Sequence, residues 1–257
     1  MVYIIATLKL LDVHEIFRKM VFMVNSVLKS VETGPLNDEQ LLLCKIKDAI
    51  VCQELVPGQK ITEHVITDMY GTTRTMARSL IEKLTAQNFL ISVSPRITQV
   101  APLTVLSIKE NFLLRKMLVP DLVAMSSPHI DLDALASLNK EMAETRVDSS
   151  NPEEVLQLVR KNRDYNQFTV VNMRYRLLTS WIELLEDIAM RIYWLYVKLH
   201  GQLPFNPSTQ LKLFDAIKND DTDTARVVVR ELLDQNEDRI LHSIFADDRF
   251  SSQDLIL

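Results

Sequence analysis

The sequence predicts a mainly α protein in two parts. Three short helices closed by a small β-hairpin come first, and a long run of helices follows. Three observations carry this. Gly 4 and Pro 9 in 257 residues are too few for a turn-rich all-β fold. Apolar residues recur at the helical period over most of the chain. Only FLISVSPRITQVAPL, residues 89–103, reads as strands, placed around Ser94, Pro95 and Arg96.

The elements follow in order. Residues 1–36 hold Val13, Ile16, Met20, Met23 and Val27 at 3-4 spacing, an amphipathic helix. The expected reading is a helix packing on its own protein, or a few extra codons ahead of a true start at Met20 or Met23, with a membrane-surface helix as the alternative. The stretch ETGPLND breaks the pattern as a linker. Residues 39–55 form a helix with Leu42, Ile46, Ala49 and Ile50 on one face, ended by Pro57-Gly58. The short helix EHVITDMY turns Val65, Ile66 and Met69 inward and closes at Gly71. The next helix starts at Thr73, runs to about Ala86, and buries Ala77, Leu80, Ile81 and Leu84. Three helices and a hairpin are the layout of a winged helix-turn-helix.

From Ser107 the periodicity gives six helices, at about 107–127, 131–147, 152–173, 175–199, 207–219 and 222–244. The breaks between them carry Ser, Pro, Gly, Asn and Asp, except near residues 172–174, where no breaker stands. The expected organisation is an extension and linker at 1–36, a winged module at 37–103, an antiparallel helical bundle at 104–245 and a tail at 246–257.

Composition excludes some functions. A net charge of -5 argues against nonspecific nucleic-acid binding, though not against a local basic face. Cys44 and Cys52 lack metal-site spacing and read as free, half-buried thiols in a reducing cytoplasm. No run approaches the ~18 apolar residues of a membrane span. There is no nucleophile–base set, no Gly-rich phosphate loop and no H-E-x-x-H, so a binding protein is expected rather than an enzyme.

The segment YGTTRTMARSLIEKL, residues 70–84, carries the binding chemistry. A helix N-terminus has unpaired N–H groups and a partial positive charge, which suit a phosphate. Thr72 and Thr73 can cap it or donate to a phosphate oxygen. Arg74 and Arg78, four apart and joined by Thr75, lie opposite the buried face. An arginine fork takes two acceptors on a guanine edge or clamps a phosphate. This matches a recognition helix entering the major groove by its N-terminal end. Arg96 at the hairpin tip would reach the backbone or the minor groove.

Nearly all of residues 39–103 resembles the DNA-binding module of GntR-family bacterial transcription regulators. The shared features are the A-I…L-x-P-G turn, the aromatic-Gly pair, the T-R-T…R helix and the closing V-A-P-L. The resemblance implies operator-DNA contacts at His64, Thr73, Arg74, Thr75, Arg78 and the hairpin tip, Arg96. His64 stands where the family has Arg, Met76 where it often has Pro, and Pro95-Arg96-Ile97 where its hairpin turns on Gly.

The helical half resembles the FCD effector-binding domain of the same family, in its shorter, six-helix (VanR-like) branch. IKENFLLRKMLVPDLVAM matches the first helix and LKLFDAIKNDDTDTARVVVRELL the closing pair. Many such domains bind a divalent metal through one Asp and three His. By register, Tyr165 stands at the Asp position, Thr169 at the first His, and Gln210 and Glu231 at the later ones. Asp164 is one residue off, about 100° of helix rotation. His129, His200 and His242 have no metal spacing. No metal and no cofactor are expected. The resemblance implies a pocket with Arg115, Tyr165, Thr169, Gln210 and Glu231 as candidate liners, Arg115 suiting an acidic ligand. The expected protein is a cytoplasmic, homodimeric regulator, of the repressor class, whose operator affinity an organic-acid effector changes. The alternatives are a DNA-binding regulator whose helical half only dimerises, and a helical interaction protein that binds no DNA.

Overall fold

A computed structural model describes residues 37–170, 175–247 and 255–256. The amphipathic stretch expected within 1–36, most of the tail and the 171–174 boundary lie outside these residues. The chain divides into two compact units, Met1–Leu42 and Leu43–Leu257. The fold described below belongs to the second, apart from the start of its first helix.

α1 spans Asp38–Val51. Its start is a reciprocal cap: Gln40 N–H donates to Asn37 Oδ1 at 2.8 Å, and Asn37 N–H donates to Gln40 Oε1 at 3.1 Å. β1 (Lys60–Ile61), α2 (Glu63–Tyr70), α3 (Arg74–Ala86), β2 (Leu90–Ser94) and β3 (Ile97–Val100) complete the winged helix-turn-helix. The sheet order is β1-β3-β2, antiparallel throughout, with Lys60 opposite Gln99 and Leu90 opposite Val100. β1 is an addition to the expected two-stranded wing. It is too short for periodicity to register, and it forms only because β3 is there to pair with.

The module's core is Ile46, Ile50, Leu55, Ile66, Leu80, Leu84, Phe89 and Val100, all fully buried. Ala77, Leu80 and Leu84 anchor α3 as expected, whereas Ile81 is only half-buried. Met69 is a clear departure: it is exposed at 47%. α2 has only eight residues, and a single apolar position, Ile66, points straight into the core.

The helical half comprises α4 (Val105–Ser126), a 3-10 turn (Ser127–His129), α5 (Leu132–Glu144), α6 (Pro152–Phe168), α7 (Arg176–His200), α8 (Pro207–Lys218) and α9 (Thr222–Phe245). Side-chain caps set the starts of most of these helices: Thr104, Asp131, Asn151, Asn206 and Asp221 each accept a backbone N–H of the first turn. α6 ends at Phe168, short of the expected 173, with Thr169 as the next residue. α7 closes at Gly201, whose φ of 64° suits glycine. A Cβ there would also meet the Val147 carbonyl at 2.9 Å. α4 packs along α9, α6 against α7, and α8 against α9.

Polar contacts tie the module to the bundle. Asp187 on α7 accepts from Lys47 Nζ at 2.6 Å and forms an ion pair with Arg163, whose Nε lies 2.7 Å from its carboxylate. Arg160 on α6 pairs with Asp48 on α1. Arg191 donates to the Ala101 carbonyl at 2.7 Å. In the tail, Leu255 is buried, bonds the Leu103 carbonyl through its N–H, and accepts from Gln53.

Candidate nucleic-acid interface and effector cleft

α2 and α3 meet at Gly71, whose φ of 62° closes α2 in the left-handed conformation. Any other residue would be strained there, although a Cβ would meet only open space. Thr73 then caps α3, its hydroxyl accepting the Met76 N–H at 3.2 Å. Thr73, Arg74, Thr75 and Arg78 are all exposed at the mouth of α3, with Ala77, Leu80 and Leu84 fully buried behind them. Arg96 is exposed at the tip between β2 and β3.

The charges are not all free. Arg78 Nε donates to Glu63 Oε1 at 2.8 Å, joining α3 to the first turn of α2. That hydrogen bond, with the Glu63 charge, holds the Arg78 guanidinium above its ordinary value. His64 Nδ1 lies 3.1 Å from Asp68 Oδ1. Arg74 is exposed and has no ion-pair partner among the described residues.

In the helical half, Tyr165 and Gln210, aligned by register alone, come together: the Tyr165 hydroxyl lies 2.9 Å from Gln210 Oε1 and 2.7 Å from Asn139 Oδ1. Burial raises the Tyr165 hydroxyl above its ordinary value. Both residues line a small cleft that is open to solvent. Its polar lining is Asn162, Asn166, Asn206, Gln210 and Asn236 with Tyr193 and Tyr165; Met142, Leu203, Pro204 and Phe205 complete it.

The other expected liners lie elsewhere. Arg115 is buried and locked, its Nη2 2.9 Å from Glu186 Oε1 and its Nη1 donating to the Tyr193 hydroxyl at 3.2 Å. Desolvation pulls this guanidinium down, but Glu186 and Tyr193 more than restore it, and it stays above its ordinary value. It is thus a structural cation rather than a free receptor for an acid. Thr169 bonds the Asn166 carbonyl as the α6 cap. Glu231 is half-exposed, accepting from Gln235 at 2.9 Å with Lys212 at 3.9 Å.

Sequence reasoning missed Glu186 and Asp187. Glu186 takes Arg115 and Asn166, while Asp187 takes Lys47 and Arg163. The signal was present: two adjacent acids inside the apolar run WIELLEDIAM demand buried partners. Of the thiols, Cys44 is exposed and Cys52 half-buried, and both are free. Burial pushes the Cys52 thiol up to about 11. His129 and His242 are exposed, and His200 bonds Ser243 Oγ at 2.7 Å. No helix among the described residues is long and apolar enough to cross a membrane.

No protein-family model and no curated protein matches the chain. Solved structures do. McbR/YncC of E. coli is 17% identical with a TM-score of 0.62, over 81% of this chain and 99% of that one. A candidate transcriptional regulator GntR from Rhodococcus sp. RHA1 is 15% identical with a TM-score of 0.61, over the same 81% and 99%. Lar, described as controlling expression of the Listeria monocytogenes agr system, is 11% identical with a TM-score of 0.52, over 82% and 99%. The chain shares the fold of these proteins: a winged helix-turn-helix followed by a helical domain.

Proposed function

We propose that the chain is a cytoplasmic, DNA-binding transcription regulator of the GntR type rather than an enzyme, working as a homodimer on double-stranded operator DNA. One observation carries this reading. The mouth of α3 presents Thr73, Arg74, Thr75 and Arg78 to solvent on a helix whose opposite face is fully buried. His64 and Arg96 flank it on α2 and the wing. Described neighbours that regulate gene expression support it.

Dimerisation is supported by the outer face of α4. Leu106, Leu113 and Met117 are exposed there at 76%, 58% and 63%. A second copy covering this stripe would pair two recognition helices over a palindromic operator. The cleft of the helical half is the effector site of this reading. A ligand shifts operator affinity only if it binds one arrangement of the dimer better than another.

The test is a mobility shift of the full chain against DNA flanking its own gene. Specific binding is expected, and Arg74→Ala with Arg78→Ala should weaken it by roughly a hundredfold with the melting temperature unchanged. Unchanged binding would falsify the reading.

A further inference from the structure

We propose that the cleft between α6, α8 and α9 binds an uncharged polyhydroxylated ligand, a neutral sugar or alditol, through its unpaired carboxamides. This deepens the effector reading above and rests on it.

The argument starts from donors and acceptors. Asn162 on α6 and Asn236 on α9 both line the cleft, and neither has a hydrogen-bond partner among the described residues. A carboxamide sets an acceptor oxygen beside a donor NH2. Adjacent hydroxyls, each able to donate and accept, match that pair in both orders. The Tyr165 hydroxyl adds adaptability. It lies within hydrogen-bond distance of oxygens on both Asn139 and Gln210, yet has one hydrogen to give. One of the two amides therefore turns its NH2 toward the tyrosine, and the choice can reverse to suit a ligand. Phe205 supplies apolar surface for the C–H face of a sugar ring.

Charge decides against an acid. Among the described residues, no Lys, Arg or His lines the cleft. Two cations reach lining residues: Arg115 bonds Tyr193 but is neutralised by Glu186 at 2.9 Å, and Arg239 spends an N–H on the Phe205 carbonyl at 3.0 Å. A carboxylate entering here would give up hydration without meeting a cation among the lining residues. A neutral polyol faces no such penalty, and it satisfies the two amides that the fold leaves unpaired.

Binding is measured on the full chain by thermal shift and calorimetry, without DNA. The probes are matched pairs that differ in one carboxylate: glucose and glucuronate, galactose and galacturonate, xylose and xylonate, mannitol and mannonate. The expected result is stabilisation by at least one neutral member, with its acid bound about tenfold more weakly. Asn162→Ala and Asn236→Ala should each weaken the neutral ligand roughly fivefold. Asn236→Lys should move the preference toward the acid, which a merely structural asparagine would not do. Stronger binding of the acids, no stabilisation by any neutral probe, or Ala variants that bind as the parent does would each overturn the proposal. Operator binding of the ligand-free chain, assayed in parallel, reports separately on the regulator reading.

Discussion

Two arginine–glutamate pairs of nearly equal length stand in opposite parts of this molecule. Arg78 meets Glu63 at 2.8 Å on the outward face of the winged module, and Arg115 meets Glu186 at 2.9 Å inside the bundle. The first pair is open to water and the second is almost fully buried. The geometry is alike, but the consequences differ. An exposed pair gains little, because water and salt compete for both partners, so Arg78 can exchange Glu63 for a phosphate. A buried pair cannot exchange, since parting it strands a charge in a medium that does not solvate it. Surroundings therefore leave one arginine able to exchange partners and make the other a strut.

That contrast can be broken most severely at Arg115. Arg115→Ala leaves Glu186 buried without its counter-charge and should cost about 3–5 kcal/mol, read as a drop in the urea midpoint. A loss under about 1 kcal/mol would show that the pair is not the strut described. Asp187→Asn comes next. It weakens the acceptor of both Lys47 and Arg163 and should cost about 1–3 kcal/mol in the same assay. Glu63→Gln tests the exposed pair. Stability should hold, while operator affinity at low salt rises roughly threefold as Arg78 is released; unaltered affinity would mean that Arg78 makes no DNA contact.

The smallest effect expected is at His200. Burial holds its imidazole below the ordinary 6.5, so the folded state takes up its proton less readily than the unfolded chain. The stability it contributes is present above that value and declines as pH falls below it. His200→Gln should flatten this part of the melting-temperature profile against pH. A parent profile already flat there would remove the assignment.

The two regions also differ in how much of them the sequence disclosed. The winged module was legible because its signals are local. Gly71 needs its left-handed φ, Thr73 caps the helix that follows it, and Ala77, Leu80 and Leu84 repeat at helical spacing. The helical half disclosed its elements to within a few residues, again through caps and periodicity. Its site was only partly legible. Of the residues aligned by register, Tyr165 and Gln210 stand within 2.9 Å of each other, while Arg115 and Glu231 do not line the cleft. Which way a side chain points across five packed helices depends on neighbours distant in sequence.

The sequence by itself determined the order of elements, the capped helix starts, the apolar anchor of α3 and the outward row of Thr73, Arg74, Thr75 and Arg78. Each depends on residues within about two helical turns, where backbone geometry fixes the relation. Tertiary structure alone decided the third strand, the exposure of Met69, the capture of Arg115 by Glu186 and the shared grip of Lys47 and Arg163 on Asp187. Those outcomes are set by desolvation and by partners more than a hundred residues away in some cases, and one-dimensional spacing does not encode such distances.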